Sequence, residues 1–403
     1  MHNEIDDIPI QTQQINLNEN LHNVKVVIIT TNYSSPKGGS EKLWRELAKS
    51  LNDEGHDVVA SVYSHQASFH KKILGPNIKV HRRLPSRHGN SLMRKMLQYA
   101  TKKLLEGRQI RRLIERERPA HVFFSFGGFA ELDNPRLLRT ITALDTEFSA
   151  IFHNNTENYS FQSESISLAQ EFCAQAANIY LVSHRIGEIF QRQVGLVDFK
   201  YKIIINPMDE PEDFSVTIYD NPLEIVRMAF IGTLDIGVKG LALLLQTIAS
   251  PSWPYADATL NIFGEGKDRE LISNLIKSFG LEDRIFLKGW IDDIDALWNE
   301  HHLLVLPSFN EGMPMVIHEA MLRQRIIVAT DVGGNSEIIE DGKTGFIAPS
   351  ASLNHLSNAF IRCFKRRHQW PLIAAAARSS IVKTRQNHLK IQDILSEFNH
   401  EQN

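Results

Sequence analysis

Cysteine is nearly absent from this chain. Cys173 and Cys363 are the only two in 403 residues, far apart and in no metal-ligand spacing. That excludes a disulfide framework and fits a reducing cytoplasm. No run of 18 apolar residues occurs, so no membrane-spanning helix is predicted. Residues 1–20 are rich in Asn, Gln and acidic side chains, with no basic start followed by an apolar stretch. They are not read as a signal peptide, and 1–21 is expected to be a mobile tail. Without export, the sequons Asn154-Asn155-Thr156 and Asn158-Tyr159-Ser160 are chance matches. A large excess of either charge is missing too: the net is −3, which excludes a nucleic-acid-binding polycation. The dinucleotide fingerprint G-x-G-x-x-G is not present, which weakens a dehydrogenase reading.

What is present is alternation. Short β-branched runs fall at 24–31, 57–63, 78–81, 121–125, 148–152, 179–183 and 202–205, then at 226–231, 258–263, 284–288, 303–306 and 326–330. Segments of helical period separate most of them, among them 41–51, 240–249, 269–279 and 316–322. Nearly continuous apolar strands between helices predict parallel sheets covered on both faces. Repetition of the pattern in both halves of a chain this long predicts an α/β protein with two doubly wound domains. The boundary is placed where Pro207, Pro211 and Pro222 cluster with five acidic residues between Asp209 and Asp220. The division reads 22–206 and 207–380. Residues 381–403 form a last helical segment, with Ile381, Ile391, Ile394, Leu395 and Phe398 on one side, able to pack back across the junction.

In such sheets ligands bind in the crevice outside the carboxyl ends of the strands, so the loops there carry the chemistry. After the first strand come Gly38 and Gly39, followed by a helix start whose amides can face an anion. A flexible turn explains that loop equally well. In the second half, Gly232-Thr233 ends a strand and Lys239-Gly240 precedes a helix. Lys239 suits a diphosphate there, although a lone lysine is more often solvated. The strongest segment runs from Pro307 through Asn310-Glu311-Gly312-Met313-Pro314-Met315-Val316 to Glu319. It follows a strand, and Pro314 suits the first position of the next helix. Amides around Gly312 to Val316 would face a ligand, with the helix dipole behind them. Glu319 can accept hydrogen bonds from a sugar diol, and Glu311 lies close to whatever the helix start holds. The strand–Gly–Pro–helix context makes two merely solvated glutamates the weaker reading.

These residues resemble the retaining glycosyltransferases of family 4, of the GT-B architecture (the group 1 glycosyltransferases). The mark of that family is two glutamates separated by seven residues, matched by Glu311 and Glu319. The other motifs occur in the same order: Gly38-Gly39, Ile205-Asn206-Pro207-Met208-Asp209, Gly264-Glu265-Gly266, Gly289-Trp290, and Asp331-Val332-Gly333-Gly334 with Glu337. The similarity spans roughly residues 24–349 and is looser in the first half.

The resemblance implies a two-domain GT-B fold. It further implies transfer of a hexose or N-acetylhexosamine from a nucleotide diphosphate sugar, a UDP-sugar by the family's habit, to a glycan or lipid-linked acceptor in cell-envelope polysaccharide or glycolipid synthesis. Glu319 would bind the donor ribose and Glu311 the donor sugar near the reaction centre. His153, at a strand end, would line the sugar pocket, and Lys239 would hold the diphosphate. Thr233 stands where the family often has an arginine. Threonine supplies a hydrogen bond and no charge, so Gly39, Gly264 and the Gly312–Val316 amides would carry more of the load. No cofactor or metal is expected. Asp293-Ile294-Asp295 has the form of a metal motif, but helix capping explains it, and His301-His302 offers no third ligand by spacing. A GT-B epimerase or phosphorylase, or a non-catalytic sugar-nucleotide-binding subunit, are the alternatives.

Residues 82–118 hold 12 Lys or Arg against three Glu, a local charge of +9. Leu92, Met93, Met96, Leu97, Ala100 and Leu104 form a helical stripe beside Arg94, Lys95, Lys102 and Lys103. Two readings stand: a surface helix with its apolar side in the core, or a basic amphipathic helix docking on an anionic membrane, as family relatives do. The second would put the protein on the inner face of the plasma membrane, the first free in the cytoplasm.

Overall fold

The computed structural model describes residues 23–33, 36, 38–84, 92–208, 225–251 and 253–402, with the side chains of 92–104, 401 and 402 left aside. The tail expected at 1–21 and the acidic part of the boundary segment lie outside these residues.

The first half alternates β1 (Lys25–Thr30), α1 (Gly39–Asp53), β2 (Asp57–Tyr63), α2 (Ala67–Leu74), β3 (Lys79–Arg83), α3 (Leu92–Glu117), β4 (His121–Phe126), α4 (Pro135–Thr142), β5 (Glu147–Phe152), α5 (Ser163–Gln175), β6 (Asn178–Leu181), α6 (His184–Val194) and β7 (Lys202–Ile203). The second continues with β8 (Val226–Ile231), α7 (Ile236–Lys239), α8 (Leu241–Ile248), β9 (Ala258–Phe263), α9 (Arg269–Ser278), β10 (Ile285–Gly289), α10 (Ile294–Glu300), β11 (Leu303–Leu306), α11 (Met315–Leu322), β12 (Ile326–Thr330), α12 (Asn335–Ile338), β13 (Phe346–Ala348), α13 (Leu353–Lys365), α14 (Trp370–Asn387) and α15 (Ile391–Gln402).

Two sheets result, ordered β3-β2-β1-β4-β5-β6-β7 and β10-β9-β8-β11-β12-β13. Every pairing is parallel. Strands such as His121–Phe126 and Leu303–Leu306 are buried at every position, as strands covered on both faces must be. The order reverses between β1 and β4 in one sheet and between β8 and β11 in the other. Loops leaving neighbouring strands at such a point diverge to opposite faces and open a crevice. The expected α/β architecture of two doubly wound sheets is therefore found.

One expectation is corrected. The segment 381–398 is not a single helix: α14 ends at Asn387 and α15 starts at Ile391. Between them Leu389 lies extended beside β7, donating its N–H to Ile203 O at 3.2 Å and accepting from Ile205 N at 3.0 Å. The cause is the open edge of the first sheet, whose unpaired backbone groups take the crossing chain as a further partner. Past that point, Ile391, Ile394, Leu395 and Phe398 join the core cluster of Val26, Ile28, Leu47 and Phe123 against α1. Strand β13 and helices α12 and α13 had no counterpart in the sequence reading, and α14 was read only at its end, from 381.

Candidate active site

The loops at the second sheet's reversal bring together residues far apart in sequence. Leaving β8, Leu234 donates its N–H to Glu265 O at 3.0 Å, so the loops after β8 and β9 run side by side. Gly264 permits this: its φ is +129°, and a Cβ there would lie 1.9 Å from Gly232 O. Asp235 then caps α7, its Oδ1 accepting from Gly237 N at 3.1 Å. The cap fixes the turn that ends in Lys239.

Leaving β11, the chain delivers Glu311, which is buried, to the same place. Lys239 Nζ lies 2.6 Å from Glu311 Oε1, and Ser308 Oγ donates to that same oxygen at 2.6 Å. Thr330, at the end of β12, donates to Ser308 O at 2.6 Å and holds the loop to the sheet. Both bonds to Glu311 fall on Oε1, so Oε2 is the oxygen left to a ligand. The carboxylate and the ammonium neutralise each other locally, and Lys239 keeps two further N–H donors.

Pro314 caps α11 at φ −73°, ψ 117°, with no side-chain bond to the helix amides. Those amides open beside a cavity of about 850 Å³ lined by Thr233, Gly264, Trp290, Met315, Val316 and Glu319. A second, of about 250 Å³, shares Met315 and Glu319 and is closed on the other side by Gly38, Gly39, Lys42 and Arg45 of the first half. Glu319 is half-buried and borders both. The two cavities form one cleft between the sheets. A separate cavity of about 480 Å³ at Cys173, Tyr201 and Lys202 gathers no comparable set of groups. Burial pushes its Cys173 thiol up to about 12, which leaves the sulfur protonated and unreactive.

The first half supplies three parts. Gly38 caps α1 with extended backbone, and a Cβ on Gly39 would lie 3.1 Å from Met315 Cγ of the opposite half. Behind this loop Glu41 is fully buried and receives Thr30 Oγ1 at 3.2 Å and Trp44 Nε1 at 2.8 Å. Burial pushes its carboxyl up to about 7, against those hydrogen bonds. His153, buried after β5, places Nε2 3.2 Å from Ser125 Oγ. Burial lowers its pKa to about 3, so the ring is neutral at pH 7. A Cβ on Gly312 would lie 1.8 Å from His153 O, so the Glu311 loop meets the first half backbone to backbone. Met313 is buried beside it.

Of the residues singled out from sequence, Gly38, Gly39, Thr233, Gly264, Met315, Val316 and Glu319 line these two cavities, whereas Lys239, Glu311, Gly312, Met313, Pro314 and His153 are not part of their lining. Ser308 was missed, although a hydroxyl three residues before Glu311 could have been noticed. The lining by Trp290, Lys42 and Arg45 was missed as well. Asp293 caps α10 through Ala296 N at 2.8 Å, and Asp295 pairs with Arg323 at 2.6 Å. Among the described residues no three His, Cys, Asp or Glu side chains gather as a metal site.

Two facing doubly wound sheets with a cleft at their reversals define the GT-B glycosyltransferase fold. Solved structures share it: a glycosyltransferase from Rickettsia africae aligns over 94% of this chain and 98% of its own, with a TM-score of 0.69 at 16% identity. The Anabaena protein HepE, in complex with UDP, aligns over 93% and 100%, with a TM-score of 0.67 at 17% identity. Residues 226–366 match the family model of Glycosyl transferases group 1, and the chain carries a domain of that family. The poly(ribitol-phosphate) alpha-N-acetylglucosaminyltransferase of Staphylococcus aureus is 24% identical over 203 residues, 49% of this chain and 41% of that protein. The alpha-D-kanosaminyltransferase of Streptomyces kanamyceticus is 32% identical over 126 residues, 31% and 33% of the two chains. The match therefore spans well under half the length of either relative.

Proposed function

We propose that this chain is a retaining, metal-independent glycosyltransferase working on the cytoplasmic side of the envelope. It moves a hexose or N-acetylhexosamine from a UDP-sugar to a glycan or lipid-linked acceptor in cell-envelope polysaccharide or glycolipid synthesis. The observation that carries this reading is the 850 Å³ cavity at the uncapped start of α11, with Glu319 on its wall and the Lys239–Glu311 pair close by. Glu319 takes the ribose hydroxyls. The diphosphate lies against the first amides of α11 and the ammonium of Lys239, with Thr233 and the Gly39 and Gly264 backbones beside it. Glu311 Oε2 and His153 face the sugar.

Departure of a nucleoside diphosphate concentrates negative charge on its β-phosphate. Fixed amides and an ammonium stabilise that charge without reorganising, and one such donor is worth about 3 kcal/mol of barrier. Lys239 serves twice here, because it also offsets the Glu311 carboxylate that would otherwise repel the phosphates. The proposal needs no bound cation. The S. aureus relative is named for a polyol-phosphate acceptor, which supports an envelope polymer as the acceptor class. Arg108, Arg111 and Arg112 are exposed on α3, in keeping with docking on an anionic surface. The apolar stripe at 92–104 lies outside the described side chains. No described helix is long and apolar enough to cross a membrane.

Saturation-transfer NMR against a panel of nucleotide sugars tests the donor. UDP-sugars should bind, with contacts from both uridine and sugar, and with no change on adding a chelator. A panel-wide failure to bind, or binding abolished by chelation, would overturn the reading.

A further inference from the structure

Helix α6 begins in an unusual way. Its cap position is Ser183, a residue type that normally bonds the first free amides with its own hydroxyl. Here Ser183 makes no such bond, and its buried Oγ has no hydrogen-bond partner. The amides are served from the other half of the molecule. Glu337, on α12, accepts His184 N at 3.0 Å on Oε2 and Arg185 N at 2.8 Å on Oε1. The same turn adds a second tie, since Arg185 pairs with Asp331 at 2.7 Å, its other arm going to Glu157 at 2.9 Å.

The segment that carries Glu337 also carries the Glu311 loop. Gly334 donates its N–H to Gly312 O at 2.7 Å, and Glu337 N returns to Gly334 O at 3.1 Å. Glu337 therefore grips the first half with its carboxylate while its own turn is bonded to the residue after Glu311. That residue lies against His153 O. When the halves part, α6 loses its cap and a carboxylate loses two N–H donors together.

We propose that Glu337 is the closure latch of the cleft: a positioning residue that caps α6 from the opposite half and so seats the Glu311 loop against His153. It touches no reacting atom. Its substitution should shift the balance between open and closed forms and leave the site groups intact. The kinetic part of this inference rests on the donor reading above; the conformational part does not.

Small-angle scattering on the full chain, with and without UDP, tests it. Glu337→Ala should have a larger radius of gyration than the unaltered chain in the absence of UDP, and Glu337→Gln, with one accepting oxygen, should lie between. Saturating UDP should restore the compact form. Loss of a helix cap corresponds to roughly a fivefold weakening, so the donor KM of Glu337→Ala should rise about that much while kcat at saturation stays near its original value. Should Glu337→Ala fail to fold, as judged by thermal melting, Arg185→Ala serves instead through its tie to Asp331. A folded variant with unchanged scattering in both states would overturn the latch. If the unaltered chain ignores UDP but the variant still expands, the latch stands and the donor reading falls.

Discussion

Glu319 borders both cavities of the cleft and is only half-buried, which leaves it open to a ligand. Glu319→Ala should weaken UDP binding by at least about tenfold, the scale of one charge-assisted hydrogen bond lost from a ligand. The melting temperature should stay within about 2 °C, as for a substitution away from the core. Isothermal titration checks the first and a thermal melt the second, and unchanged affinity would remove Glu319 from the site. Lys239 and Glu311 differ in kind, because each satisfies the other at 2.6 Å. The two glutamates and the lysine stood out in the sequence because a strand, a glycine and a proline framed them. Ser308 did not, and Glu337 stood out only as part of a motif, with no role. The first sits in a loop whose path depends on Thr330, the second acts across a junction that no sequence spacing encodes.

At the scale of elements, strands read well where burial on both faces makes them continuous apolar runs; 57–63, 226–231, 258–263, 303–306 and 326–330 match the observed strands end to end. Reading failed where tertiary context decided. Three-residue β13 exists because β12 offers it an edge, and the break at Leu389 exists because β7 does. Helix α15 looked like the tail of its predecessor but belongs to the other sheet. Phe398 lies 5.9 Å from Phe123 and 5.4 Å from His121, ring to ring, and is buried. Phe398→Ala should cost about 3–5 kcal/mol, the range for truncating a core aromatic. Chemical denaturation reads this out, and a loss under about 1 kcal/mol would show that α15 is only loosely held.

The whole molecule carries a set of buried neutral histidines. Burial lowers His153 and His318 to about 3 and His70 and His302 to about 4. A depressed histidine contributes stability in full above its unfolded value near 6.5, and loses it as the pH falls toward the folded value. Glu41 runs the other way: with its carboxyl raised to about 7, it contributes most below about 4.5 and loses that as the pH rises through 7. Four groups against one make stability fall between pH 6.5 and 4. Neither ring nitrogen of His318 has a hydrogen-bond partner, so His318→Leu should flatten the slope by up to about 1.4 kcal/mol per pH unit. Urea titrations at four pH values would show it, and an unaltered slope would mean that His318 keeps its proton inside the fold.

The return of the chain to its starting sheet has a consequence for biosynthesis. Strands β1 to β7 leave the ribosome first, but the apolar face around Val26, Ile28 and Phe123 is covered only in part, by α1 and α2, until α15 has been made after the whole second sheet. A nascent chain halted anywhere in between presents the remainder of that face to solvent, to chaperones and to other nascent chains.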